Sequence, residues 1–156
     1  MKETIDRYIT DASKAISGYV SGRFITSDIP NCMDKVADLL GEKGGAKAIH
    51  FELLFEPAEL TDPELACEIA ELIATYIGQE YQVCYAVHED TEKLHIHFIF
   101  NSLSYLDGYR YTGTTEENLR LADYVSAVLR YSAELELDNV FRAIGSSLTM
   151  NEPYQR

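Results

Sequence analysis

Leu94-His95-Ile96-His97-Phe98-Ile99-Phe100-Asn101 alternates without a break. Leu94, Ile96, Phe98 and Phe100 fall on one side, and His95, His97, Ile99 and Asn101 on the other. A period of two sustained this long predicts a half-buried β-strand with one wholly apolar face turned to a core. The other face advances about 7 Å per i, i+2 step, from a rise of roughly 3.3 Å per residue. Just upstream, the apolar run from Tyr81 to Val87 ends at His88, and the acidic turn Glu89-Asp90-Thr91-Glu92 follows. Two antiparallel strands joined by that turn bring His88 beside His95 and His97. Three neutral imidazoles with coordination positions left open fit a catalytic metal site better than a closed structural one. The same His-x-His spacing also fits a surface ladder or a pair of hydrogen-bonded histidines. Concentration favours the metal: the chain has four histidines, and three fall within ten residues.

Composition narrows the classes. At 156 residues the chain is expected to form one domain, 1–156, large enough for a real core. Hydrophobic content of 46% marks it as globular. No apolar run approaches the roughly 20 residues of a membrane span. The start, Met1-Lys2-Glu3-Thr4-Ile5-Asp6, has no apolar segment of the secretory kind. Cys32, Cys67 and Cys84 are isolated and odd in number, which predicts buried, reduced thiols in a cytoplasmic setting. The net charge of −13 and a pI near 4.6 weigh against a broad phosphate-binding surface. The bias is local: from Ala48 to Glu92 there are eleven acidic residues and no Lys or Arg. A solvated acidic face is the plainer account of that stretch, and a surface for a basic partner the sharper one.

In chain order, the apolar positions from Ile5 to Val20 have helical spacing, predicting a helix over 2–20 that ends near Gly18 or Gly22. Tyr8 and Tyr19 lie on its apolar stripe. Thr26 to Asn31 reads as a turn containing Pro30, and Met33 to Leu40 as a helix capped by Asn31. Ala48 to Phe55 alternates as a strand, with His50 and Glu52 placed to reach the histidine face. Thr61-Asp62-Pro63-Glu64 starts a helix that runs to Gly78. Asp107-Gly108 predicts a tight hairpin between Leu103–Tyr105 and Tyr109–Tyr111, and Glu116 to Tyr131 a further helix. Asn139 to Ile144 is a candidate strand, and 151–156 a frayed end. Helices interleaved with an antiparallel sheet make an α+β two-layer sandwich, with helices packed on one face and the three-histidine site on the other.

Taken together, these residues resemble a known family. His88-x-Asp90, His95-x-His97 and Asn101 are similar to the metal motif of plasmid relaxases, the mobilisation nucleases of the HUH endonuclease class. Phe55-Glu56-Pro57-Ala58-Glu59 resembles that family's F-x-P-x-E turn, and Thr61 to Ile69 the helix start after it. Tyr81-Gln82-Val83, the segment Asn101 to Tyr105 with Asp107-Gly108, and Asn31-Cys32 extend the likeness in order over about residues 19–111, leaving 112–156 diverged.

The resemblance implies that His88, His95 and His97 hold one divalent cation (Mn, Mg or Zn), with Asp90 and Asn101 as positioning groups in the catalytic site. It implies single-stranded DNA at a transfer origin as substrate, other mobilisation proteins as partners, and no membrane. A tyrosine would attack the scissile phosphate to give a 5′-phosphotyrosyl intermediate. Tyr19 matches the family's nucleophile segment in keeping Tyr19-Val20 and Thr26. Arg23 and Ile25 stand where that segment has Pro and Lys, and Tyr8 is the alternative nucleophile. Lys93 stands where the family has an extra histidine, and Tyr109 to Gly113 with Glu116-Glu117 replaces a basic stretch. Full relaxases continue past this core, so the chain reads either as an excised domain or as a small stand-alone relative. Two functions stay open: a metal-dependent nicking and strand-transfer enzyme, or a diverged relaxase fold that binds DNA or partners without cutting. A third, an unrelated metal hydrolase using water, shares the histidines and has no role for Tyr19.

Overall fold

The computed structural model describes residues 15–23, 29–41, 48–89 and 93–135. The elements are β1 (Ala15–Arg23), α1 (Ile29–Leu39), β2 (Ala48–Phe55), α2 (Pro63–Ile77), β3 (Val83–His88), β4 (Leu94–Asn101) and α3 (Thr115–Ala133). The strands form one sheet in the order β1-β3-β4-β2, and every neighbouring pair is antiparallel. The α+β class follows as expected. No helix among the described residues is long and apolar enough to cross a membrane.

Strand alternation decides what each face packs against. Ile49, Phe51, Leu53 and Phe55 of β2 join Val83, Tyr85 and Val87 of β3 and the even-numbered apolar residues of β4. They pack under Ile69 and Ile73 of α2 and Val125 and Leu129 of α3 in the main core. α2 starts as its sequence requires: the Glu64 N–H donates to the Asp62 carboxylate at 3.0 Å, with Pro63 in the first turn. α3 opens with a reciprocal capping box between Thr114 and Glu117. The opposite face of the sheet has two halves. Toward one end α1 sets Met33 and Ala37 against Ala48, Cys84, Ala86, Ile99 and Leu103. Toward the other end stand the histidines.

Several expectations need correction. The helix anticipated over 2–20 is a strand from Ala15 onward, while residues 1–14 lie outside those described. Its backbone pairs with β3 from Val20↔Ala86 to Arg23↔Val83, with a register irregularity between Ala15 and Val20. Gly18 and Gly22 weaken a helix, and Ile16, Tyr19 and Val20 suit a strand once a partner edge is present. α1 begins at Ile29, so Pro30 lies in its first turn and Asn31 inside it rather than before it. The tight hairpin at Asp107-Gly108 is a longer loop closed by the single bridge Leu103↔Arg110. Gly108 there adopts φ 75°, a conformation natural to glycine. β4 is not half-buried, because all eight of its residues are enclosed. α1 covers Ile99 and Asn101, and the imidazoles screen one another. Of the cysteines, Cys84 is buried and Cys67 half-buried. The candidate strand at 139–144 and the frayed end lie outside the described residues.

Candidate metal centre

The hairpin of β3 and β4 builds the centre. His88 closes β3 directly opposite His95, and Ala86 lies opposite His97. His88, His95 and His97 therefore leave the same face at the same end of the sheet. Their exposures are 0%, 5% and 3%. Ring centroids stand 5.2 Å apart for His88–His95, 4.6 Å for His88–His97 and 5.0 Å for His95–His97. One ligand nitrogen from each lies within 4.8 Å of the others. Imidazole nitrogens bond divalent ions at about 2.1 Å, so a small inward turn of the rings fits this group to one ion. The donor set is compatible with a divalent metal.

Two contacts fix which nitrogens face inward. His95 Nδ1 lies 3.1 Å from the Lys93 carbonyl. A carbonyl only accepts, so Nδ1 carries the proton and Nε2 is the nitrogen with a lone pair suited to a metal. His97 Nδ1 lies 2.9 Å from His50 Nε2, and the two rings stack at 5.2 Å and 15°. Partners of this kind orient metal-binding histidines. Burial pushes the His50 imidazole down to about 4. Burial first, then the neighbouring His50, His88 and His95, hold His97 down to about 2. Both rings are neutral at pH 7, the form that coordinates metal.

Glu52 is the direct cross-strand partner of His97, and its Oε2 lies 3.5 Å from His97 Nε2. That spacing has the look of an ion pair, but His97 is uncharged at neutral pH. At the rim, Lys93 Nζ pairs with Glu56 Oε1 at 2.8 Å.

The structure brings the three predicted histidines together and sets Asn101 apart. Asn101 stands four residues beyond His97, about 13 Å along the strand by its rise, beneath α1. Its amide donates to Gln82 Oε1 at 2.9 Å and to the Met33 carbonyl at 3.5 Å, and its Oδ1 accepts from the Leu103 N–H at 3.0 Å. Asn101 thus ties β4, β3, α1 and the following loop together. Tyr19 lies on β1 between Ala15, paired with His88, and Val20, paired with Ala86. Its backbone passes beside the end of β3 that carries His88. Asp90 and Tyr8 lie outside the described residues. His50 and Glu52 reach the centre, as the alternation of β2 anticipated. The role of Lys93 had no sequence signal, since any residue supplies a carbonyl.

A family description, Relaxase: MobA/VirD2-like, nuclease domain, matches residues 8–131. That span runs past the 19–111 stretch of motifs on both sides. Among curated proteins and among solved structures, nothing matches.

Proposed function

The chain belongs to the MobA/VirD2-like relaxase nuclease family, and from that footing we propose that it nicks and rejoins one DNA strand at a transfer origin, in the cytoplasm, to mobilise a plasmid or similar element. The observation that carries the proposal is the convergence of three buried imidazoles on one point. His88, His95 and His97 would hold one divalent cation, and nitrogen donors favour Mn or Zn over Mg. Bound there, the cation supplies Lewis-acid polarisation of a phosphate oxygen. The chain's own residues do the rest. His50 and the Lys93 carbonyl hold His97 and His95 in orientation. Tyr19 is the proposed nucleophile. Its phenolic oxygen bonds to phosphorus, the bond from phosphorus to the 3′-oxygen breaks, and that oxygen takes a proton to leave as 3′-OH. The reverse step rejoins the strand. Asp90 is assigned a positioning role from the family motif. Asn101 acts indirectly, by holding α1 and the loop after β4 in place.

Covalent trapping tests this reading. Single-stranded oligonucleotides tiled from the DNA that encodes the protein are incubated with it and Mn²⁺, and SDS-resistant adducts are resolved. An adduct is expected for the wild type and for Tyr8→Phe, and none for Tyr19→Phe. The charge of −13 and the loss of Pro and Lys from the Tyr19 segment favour a second reading, a relaxase fold that binds without cutting. Metal binding with no adduct on any tiled oligonucleotide would establish the second reading and sink the first.

A further inference from the structure

We propose that Glu52 is a fourth protein donor to this centre, so that the cation is held by three imidazoles and one carboxylate. The inference rests on the metal reading above and extends it. Glu52 and His97 are paired across β2 and β4, so both side chains leave the sheet on the same face. His50 occupies His97 Nδ1, which leaves Nε2 for coordination, with Nδ1–H then donating to His50 Nε2. It is this same Nε2 that lies 3.5 Å from Glu52 Oε2. The distance is long for a hydrogen bond between nitrogen and a carboxylate, which runs about 2.7–2.9 Å when charge-assisted. It matches the separation of two donors on one tetrahedral ion, about 3.4 Å for bonds of about 2.1 Å. The Glu52 side chain is 40% exposed, so burial does not dictate its position and it can turn toward an ion. Lys93, the cation at the rim, is engaged by Glu56 instead.

A carboxylate changes the chemistry of the centre. It lowers the net charge of a bound dication by one and adds a hard oxygen donor. The centre then discriminates less against Mn²⁺ relative to softer ions than three imidazoles alone would. His50 acts differently, as a positioning residue that holds His97 and does not touch the ion.

The test is calorimetric titration of the whole chain with Mn²⁺ and with Zn²⁺, alongside water-proton relaxation of the Mn²⁺-loaded protein. Wild type, Glu52→Gln and His97→Ala are compared. Thermal unfolding in chelator checks that Glu52→Gln folds as the wild type does. Glu52→Gln is expected to bind Mn²⁺ on the order of 10- to 100-fold more weakly. Its Zn²⁺ affinity should fall less. Relaxation enhancement per bound Mn²⁺ should rise as a water takes the vacated position. Unchanged Mn²⁺ affinity in Glu52→Gln, with binding lost in His97→Ala, overturns the fourth donor and leaves the three-histidine centre standing. Weaker binding with unchanged relaxation also overturns it, because Glu52 would then act only through His97. A wild type that binds neither ion overturns both readings.

Discussion

Replacing His97 by alanine separates metal binding from ordinary packing. The residue is 3% exposed and its side chain is hydrogen-bonded to His50 at 2.9 Å. In chelator, its loss removes one buried hydrogen bond and leaves a void beside His50, His88 and His95. Together these cost about 2–4 kcal/mol. That cost alone says nothing about a metal. The informative quantity is the increment each protein gains from added ion. At 100 times its dissociation constant, an ion that binds only the folded chain adds about 2.7 kcal/mol. At roughly 2–4 °C per kcal/mol for a chain of this size, the wild-type Tm should rise by about 5–11 °C. His97→Ala should show almost none of that rise. The assay is circular dichroism melting at pH 7.5, in chelator and in excess Mn²⁺, repeated with Zn²⁺ and Ni²⁺. Equal increments in the two proteins would refute the reasoning, because the ion would then sit elsewhere. Absence of any increment with all three ions would remove the centre altogether.

Acid should destabilise the metal-free chain. Burial depresses His50 and His97 in the folded state, so between about pH 6.5 and 4 the unfolded chain binds protons that the folded chain refuses. Stability is therefore intact above about pH 6.5 and falls with pH, by up to about 1.4 kcal/mol per unit for each group. Urea midpoints in chelator at pH 7 and pH 5 should draw closer together in His50→Gln than in the wild type, and equal separations would contradict the burial argument. Thr114→Ala removes the hydroxyl that accepts from the Glu117 N–H at 3.2 Å and donates to Glu117 Oε1 at 3.0 Å. It should cost about 1 kcal/mol in denaturant unfolding, with the Mn²⁺ increment unchanged, and no loss would mean that the capping box contributes nothing. Asn101→Ala should cost about 2–4 kcal/mol, through lost bonds to Gln82 and Leu103. Its Mn²⁺ affinity should stay near wild type, and a tenfold weakening by titration would place Asn101 within the metal centre instead.

What could be read from the sequence was what local periodicity encodes. β2 and β4 carry alternation interrupted only at Leu54 and Ile99, and their ends fall where the pattern ends. α2 carries its own cap in Asp62-Pro63. The three histidines lie close enough in sequence that one hairpin brings them together. The sequence predicts a helix where β1 lies because Ile5, Tyr8, Ile9 and Ala12 continue into Ala15, Ile16 and Tyr19 at helical spacing. The choice for Ala15–Arg23 is made by β3, 60 or more residues later, which the local pattern does not contain. The enclosure of His95 and His97 was hidden for a similar reason. Alternation of polar and apolar residues predicts a wet face, and only the packing of α1 and the clustering of four imidazoles closes it. Asn101 shows the complement: the motif suggests a positioning group, and only the folded chain supplies its partners, Gln82, the Met33 carbonyl and the Leu103 N–H.

The two layers of the centre differ in how far apart their residues lie along the chain, and this has a kinetic consequence. His88 and His95 are seven residues apart, whereas His50 and His97 are separated by 47. Closure entropy grows as about 1.5RT times the logarithm of loop length, so the longer contact costs about 1.7 kcal/mol more to close, from the ratio 47/7. Hairpins form in roughly 1–10 μs, so β3 and β4 with their three histidines are expected to assemble before β2 docks. An ion captured by that hairpin acts on the folding transition state, while the His50 contact forms after it. In stopped-flow experiments Mn²⁺ should therefore quicken refolding, and His50→Gln should chiefly quicken unfolding. The reverse pattern would mean that β2 is in place first. Histidines drawn from a single hairpin would let a bound ion guide the folding of this chain as well as serve the folded state.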